Sequence, residues 1–335
     1  MSPSPWAILA FCALQAANPG PSAPGSDDAP PAGFQRYLPR GRIPSLDEPR
    51  FVPAKDAHLP PDAWVLGVVL LGQARAYDLN LLTRHEVVND RFGDQPVAAV
   101  WCPLANAAVV YSRRIKGREL HFEPSGVLMH GSIVMQDKET DSYWPILQGR
   151  ALYGAMTGTA LEVLPVSVKV LYRDWLREHP DTLVLSSLGR EHLERNPLDP
   201  YLASSYGFRG LVAEDPRLPT KEPVFGFELQ EKRLAARAAD LAGGRVFRVG
   251  DEWVLLYRPP AAALNEDTLA FASTAGFEPW EGTWSEKASA ARFDPVRRAF
   301  VGKGTSRPLP GFDTFWYVWS LNHPDTELLT SLPIP

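Results

Sequence analysis

Two blocks of this chain are each written twice, in the same order, and that repetition limits what it can fold into. Val65-Leu66-Gly67-Val68-Val69-Leu70, followed by Ala74-Arg75-Ala76-Tyr77-Asp78-Leu79, is echoed by Val224-Phe225-Gly226-Phe227-Glu228-Leu229, followed by Arg233-Leu234-Ala235-Ala236-Arg237-Ala238. Further on, Trp175, His179-Pro180-Asp181-Thr182 and Leu185 are echoed by Trp319, His323-Pro324-Asp325-Thr326 and Leu329. Either pair alone is the chance similarity that short apolar strings produce. Both pairs in one order point to an internal duplication. The opening blocks are offset by 159 residues (67 to 226) and the closing blocks by 144 (179 to 323), so the second copy is the shorter. We expect its deficit to fall where the first copy carries Arg91–Ala107.

The length of 335 residues fits two such units. The 33 prolines and 25 glycines favour a loop-rich, strand-rich body over a helical bundle. The predicted fold is α+β, predominantly β: two similar lobes over 64–190 and 223–335, joined by a connector at 191–222, with short helices at the lobe ends. Val65–Leu71 and Ala74–Tyr77 read as strands around Gly72-Gln73. Glu86–Asn89, Val97–Trp101, Ala108–Ser112, Glu119–Glu123 and Ile133–Asp137 read as further short strands. Tyr172–Glu178 reads as a helix ended by Pro180. Glu228–Leu241 is rich in helix formers, yet the repeat requires a hairpin there, and the repeat is followed.

Ahead of the body, the apolar run Ala7–Leu14 reads as the core of a signal peptide over residues 1–17, although Met1–Pro5 lacks the usual Lys or Arg. Export, periplasmic or secreted, is the expectation. Residues 18–33 are a Pro/Ala/Ser/Gly tract read as a disordered linker. Residues 34–63 read as an extended arm against the body. The two cysteines are Cys12 and Cys102; removal of the signal leaves one thiol and no intramolecular disulfide. No other segment approaches the ~20 apolar residues of a membrane span. The net charge of −5, with no Lys/Arg run, argues against nucleic acid or an anionic membrane surface as the main partner. A small-molecule or envelope ligand is the expected partner. No cofactor is strongly implied.

Four segments of the first copy concentrate polar and soft side chains: Arg84-His85-Glu86-Val87-Val88-Asn89-Asp90, Trp101-Cys102-Pro103-Leu104-Ala105-Asn106, Ser125-Gly126-Val127-Leu128-Met129-His130, and Asp137-Lys138-Glu139-Thr140-Asp141-Ser142-Tyr143-Trp144. Cys102 is a candidate nucleophile if a histidine or cation lowers its pKa, with His85 and Glu86 as catalytic partners and His121 and His130 as further histidines. The bland alternative is a buried small hydrophobe. Cys102, Met129 and His130, with His85, are also the candidate set for copper or zinc, though none has the ligand spacing of a known site. Asn89, Asn106, Ser125, His130 and Trp144 are candidate ligand-binding residues. Against those roles, Asn89-Asp90 is expected to open a turn, Ser125-Gly126 to be a bend, Asp137–Thr140 a solvated hairpin turn and Trp144 a core residue. Between Gly226 and Asn322 the second copy has neither His nor Cys. Its Phe277, Trp280 and Trp284 are expected in its core.

The order of these blocks resembles the uncharacterised family catalogued as domain of unknown function 3179. Its members read HE(I/V)VND, then (Y/W)CPL followed by Cys or Thr, then SGLLYNSNLVMYDRETGSLW with a following Gln. The resemblance covers Trp64 to Leu185 well and the Phe315–Glu327 ending more loosely. It implies kinship without an activity. Three departures alter the site: Ala105 stands where relatives have a second thiol or Thr, His130 where they have Asn, and Ile146 where they have Gln. The expected functions are, in order, a ligand-binding module with its pocket around Cys102, a Cys102-dependent thiol- or acyl-transfer enzyme, and a copper- or zinc-handling protein.

Overall fold

The computed structural model describes residues 30–165, 167–186, 196 and 198–330. The signal-peptide reading and nearly all of the linker lie outside the described residues. Each sequence echo resolves into a sheet of the same order and polarity. In the first, the order is Ser167–Leu171, Trp64–Leu70, Gln73–Asp78, Leu183–Ser186, with Arg50–Pro53 on the outer edge. In the second it is Gly311–Phe315, Pro223–Leu229, Lys232–Arg237, Glu327–Leu329. The first two pairings are antiparallel and the third is parallel in both.

The hairpins close through two-residue turns with both residues at positive φ: Leu71 (+50°) and Gly72 (+75°), then Gln230 (+53°) and Glu231 (+62°). Such turns carry the twist that antiparallel strands need. Glu228–Leu241 accordingly forms the hairpin demanded by the repeat, with one 3-10 turn at Ala238–Leu241. Helix propensity loses there because both faces of the strand are used: Leu234 and Ala236 enter the second lobe's core, and Ala235 the core shared between lobes.

The Trp…His-Pro-Asp-Thr echo is a packing device. Trp175 lies in the helix Tyr172–Glu178 and Trp319 in the helix Trp316–Asn322. The indole N–H of Trp175 donates to Thr182 Oγ1 at 2.9 Å, and that of Trp319 to Thr326 Oγ1 at 2.8 Å. His179 stacks on Trp175 at 4.1 Å and His323 on Trp319 at 4.2 Å between ring centroids. Beneath each indole the central strand carries a glycine. A Cβ would lie 2.4 Å from the Trp175 ring at Gly67 and 2.2 Å from that of Trp319 at Gly226.

Between its hairpin and its closing strand, each lobe inserts two larger sheets, and the first also the two-stranded Arg114–Ile115/Arg118–Glu119. The first lobe inserts Val87–Phe92, Gln95–Cys102 and Ala107–Ser112, then Phe122–Met129, Ser132–Asp137 and Tyr143–Pro145. The second inserts Arg245–Val249, Glu252–Tyr257 and Leu269–Ser273, then Phe277–Trp280, Thr283–Glu286, Arg292–Asp294 and Ala299–Val301. This corrects the expected location of the deficit. The second lobe keeps three strands opposite Arg91–Ala107, and its loop there is longer, Arg258–Thr268 against Pro103–Asn106. Arg258-Pro259 stands at the strand end where the first lobe has Cys102-Pro103.

Residues 34–63 contribute strands: Gln35–Arg36 pairs with Val127 and Leu128, and Arg50–Pro53 with Leu183–Ser186. The largest core runs across both lobes, joining Cys102, Tyr111 and Trp144 to Val224, Phe315, Trp316 and Tyr317. Phe277 and Trp284 are buried in a separate second-lobe cluster, whereas Trp280 is exposed. Among the described residues no helix is long and apolar enough to cross a membrane.

Gly226→Ala is expected to destabilise the fold by about 1–3 kcal/mol, because its Cβ must displace the Trp319 ring. Trp319→Leu in the same background should recover part of that loss. Urea unfolding midpoints of the single and double variants check both, and additive losses would contradict the direct contact.

Candidate functional site

Cys102 ends a strand whose successive side chains face opposite ways. Trp101 packs with the Leu81–Leu82 side of the sheet and donates its indole N–H to Thr83, while Cys102 faces the interlobe core. The thiol is completely buried. Burial, then the nearby carboxyl of Glu86, push its pKa up to about 12, against the opposing hydrogen bonds of backbone groups at Ile133, Ala105 and Leu104. No histidine is hydrogen-bonded to it among the described residues. His85 Nδ1 sits 2.9 Å from the Pro44 carbonyl of the arm. His121 pairs with Glu139. His130 occupies a tight turn with φ +49°, its ring half-buried near Glu214. The chemistry of Cys102 in this setting is that of a small apolar group.

Glu86 is different. It has φ +58° between the helix Leu79–Leu82 and the strand Val87–Phe92, a conformation that costs a non-glycine residue about 1 kcal/mol or more. Only 7% of the residue is exposed, and its carboxyl has neither ion pair nor hydrogen bond among the described residues. Burial raises its pKa to about 8, so it carries a proton at neutral pH. Glu86 and Cys102 are therefore neighbouring neutral acids rather than a base and an activated nucleophile.

A chain of hydroxyls runs between the Cys-Pro loop and Phe208. The backbone N–H of Phe208 donates to Tyr317 Oη at 3.3 Å, and the Tyr201 and Tyr317 hydroxyls lie 2.9 Å apart. Tyr201 in turn donates to the Leu104 carbonyl at 2.5 Å. Burial raises the pKa of Tyr201 strongly and takes that of Tyr317 to about 12, so both stay protonated. Lys221 sits over the Tyr201 ring at 4.0 Å and donates to the Tyr201 and Leu202 carbonyls at 2.6 and 3.1 Å. Its burial lowers its pKa to about 8.

The remaining candidates have the following partners. Asn89 spends its amide on both backbone groups of Phe122 and on Asp47, at 2.7–2.9 Å. Asp90, expected in a turn, lies inside a strand instead. It is buried and accepts from Arg75 and the Tyr77 hydroxyl, each at 2.5 Å. That partnership explains why an acid is tolerated on a buried strand face. Ser125 sits at a bulge, fully buried, with its hydroxyl donating to Val134 O at 2.6 Å. Gly126 follows at φ +74°, where a Cβ would meet the Leu38 carbonyl at 2.1 Å.

Asp137, expected in a solvated turn, is fully buried and accepts from Thr140, Ser142 and the Trp144 indole at 2.6–3.2 Å. Trp144 is core, edge-on to Phe122. Met129 packs with Phe34 and Tyr143, away from the interlobe core that holds Cys102. Among the described residues no group of three or more His, Cys, Asp or Glu side chains is placed to hold a metal ion.

On the other face of the Cys102 strand is an open polar cleft of about 240 Å³. Its floor is Trp101, Pro103 and Asn106. Its walls come from Asp62–Trp64, the Asp78–Asn80 turn with Thr83, Asn196, the Asp199–Leu202 helix and Asn265 of the second lobe. Among the described residues the ionisable side chains lining it are carboxylates: Asp62, Asp78 and Asp199. Asn106 takes φ +56° and donates to Leu264 O at 3.1 Å, which ties the floor to the second lobe. Beneath the floor the fully buried Lys169 donates to Asn106 O at 2.7 Å and pairs with Asp267 at 3.3 Å. Asn106 alone among the sequence-predicted ligand-binding residues reaches this cleft. The others lie on segments too far apart in sequence for spacing to connect them.

Several β-sheets with few short helices, a buried Cys102 near Glu86 and a carboxylate-lined cleft beside the same Cys-Pro loop describe a β-rich α+β protein. Residues 40–326 match the model of the family described as protein of unknown function (DUF3179), and the chain belongs to that family. No curated protein and no solved structure is matched.

Native protein is expected to react with a soluble alkylating reagent at Cys102 at least ~100-fold more slowly than free cysteine near neutral pH, and at the free rate in denaturant. Mass-spectrometric time courses measure this. Glu86 is protonated in the fold at pH values where an unfolded glutamate is ionised, so its stabilisation is complete below about pH 4 and is lost as pH rises through about 8. Glu86→Gln should flatten the fall in stability between pH 5 and 8.5 and gain on the order of 2 kcal/mol at the upper end. Unfolding midpoints across that range are the measurement.

Proposed function

We propose that this protein is an exported, non-catalytic ligand-binding module whose binding site is the polar cleft over the Cys102–Asn106 loop. The observation that carries the reading is the cleft lining: three carboxylates, the amides of Asn80, Asn106, Asn196 and Asn265, and a threonine hydroxyl, set beside Trp64 and Trp101. Amide and carboxylate acceptors beside aromatic faces suit a ligand rich in N–H or O–H donors, either an amine or a polyol. The volume lies just below the usual range for small-molecule pockets, which favours a single sugar-sized ring or a short diamine. Among the described residues the lining offers a carboxylate ligand no cation, which favours the amine and polyol classes. The acylation and thiol-transfer readings of Cys102 draw no support from a thiol with a pKa near 12 and no exposed surface. Export rests on the Ala7–Leu14 run alone.

Titration calorimetry with small amines, amino sugars, neutral sugars and matched carboxylates tests the proposal. Saturable millimolar or tighter binding of an amine or polyol is expected. Asp62→Asn combined with Asp199→Asn should weaken an amine about tenfold and leave a neutral polyol nearly unchanged. Absence of binding by both classes would rule the cleft out.

A further inference from the structure

The two lobes meet through reciprocal contacts, and one of these is sealed while its counterpart is open. On the sealed side, His323 of the second lobe packs against the Tyr143–Gln148 segment of the first. His323 is 1% exposed and hydrogen-bonds the Leu147 backbone, and Gln148 Nε2 donates to Asn322 O at 2.8 Å. On the open side, the corresponding His179 of the first lobe faces Arg297 and Arg298 of the second, and the space between is a cleft of about 440 Å³. That volume falls within the range of small-molecule sites.

The walls of this cleft are apolar: Val109 and Val168 from the first lobe, Phe271 and Leu309 from the second. Three carboxylates line it, Glu178 beside His179 and Arg298 and, deeper, Asp313 and Asp267, and all three are engaged. Asp313 takes Arg258 at 2.8 Å and the hydroxyl and backbone N–H of Thr268 at 2.7 and 2.6 Å. Asp267 takes the backbone N–H of Lys169 at 2.6 Å and its ammonium at 3.3 Å. The cations at the rim are held more loosely. Arg298 has one contact, 3.5 Å to Glu178, and Arg297 one of 3.8 Å to Asp294 with its side chain 65% exposed. His179 Nε2 is 3.9 Å from the same Glu178, so that one acid is shared by a guanidinium and an imidazole.

We infer that the interlobe cleft is a second ligand site, which takes a small apolar carboxylic acid with its tail between Val109, Val168, Phe271 and Leu309 and its carboxylate on Arg297 and Arg298. An arginine fork receives a carboxylate in paired, charge-assisted hydrogen bonds. The apolar walls supply the burial that a bare ion pair at a rim lacks. A cationic ligand meets two guanidinium groups and only carboxylates that are already paired, Glu178 with Arg298, Asp313 with Arg258 and Asp267 with Lys169. This site is separate from the polar cleft, has the opposite charge preference, and stands or falls independently of it.

Octanoate, octanol and octylamine form a matched set of probes for the full chain, read by titration calorimetry and by the fluorescence of Trp175, which lines the cleft. Octanoate is expected to bind more tightly than either of the others. Arg297→Gln combined with Arg298→Gln should weaken octanoate about tenfold and leave octanol unchanged. Arg297 is exposed, so Arg297→Gln alone keeps the test free of folding effects and should still weaken octanoate. No octanoate binding, octanol binding as tightly as octanoate, or octanoate binding indifferent to both variants would overturn the inference. Asp62→Asn combined with Asp199→Asn should leave octanoate binding unchanged, and a loss there would place the acid in the wrong cleft.

Discussion

An indole lying flat on a glycine strand is the contact from which each half of this structure is built. Trp175 over Gly67 and Trp319 over Gly226 fix the height at which a helix rides above its sheet, and no side chain can be interposed. The threonine that takes the indole proton, Thr182 or Thr326, immediately precedes or begins the approach to the parallel closing strand. One polar bond thus joins the helix to the chain segment that completes the sheet. The histidine stacked on the indole is then delivered to the lobe boundary, so the same motif that closes a lobe also docks it.

Docking brings buried charge with it. Lys169 with Asp267 and Arg258 with Asp313 form two cation–carboxylate pairs at the interface, the first between lobes and the second within the second lobe. The pair at Lys169 leaves the Asp267 carboxyl harder to ionise than usual because desolvation outweighs the lysine's attraction. Such pairs contribute little net stability compared with apolar packing, but losing one partner strands the other in the core. Lys169 also holds the Asn106 carbonyl, and Thr314 of the second lobe donates to the Ala105 carbonyl at 2.7 Å. The Cys102–Asn106 loop therefore takes its shape from the lobe opposite as much as from its own sheet.

The two matching sheet orders were legible because the echoed apolar blocks are local and each pairs a strand glycine with the tryptophan packed on it. The sequence also carried the hairpin at Glu228–Leu241 against helix propensity, since a matched copy outweighs composition when both strand faces are buried. Asp90 and Asp137 were misread for one reason: an acid next to turn-forming residues looks solvated until its partners are known. Those partners, Arg75 and Tyr77 for Asp90, come from a neighbouring hairpin. The position of the length deficit was misplaced because the second copy's sheet replaces Cys102 by Arg258 and lengthens the loop, leaving no residue to align. The polar cleft draws on segments from Asp62 to Asn265, a separation over which periodicity carries no information.

The difference between Cys102 and Arg258 explains why the two halves behave differently. A thiol at the end of the central strand can be buried without a charged partner, so apolar side chains of both halves pack around it, with Tyr201 of the connector and Tyr317 of the second half nearby. A guanidinium at the same place cannot. Arg258 draws in Asp313, Thr268 and the Ala263 carbonyl, and its loop is long enough to bring them. That longer loop presents Leu264 to Asn106 and Asn265 to the polar cleft, which makes the second lobe a wall of the first lobe's site. Cys102 is a small, fully buried side chain, so the Cys-Pro loop that follows it lies against the core shared by both halves with no need of a counter-ion for the side chain.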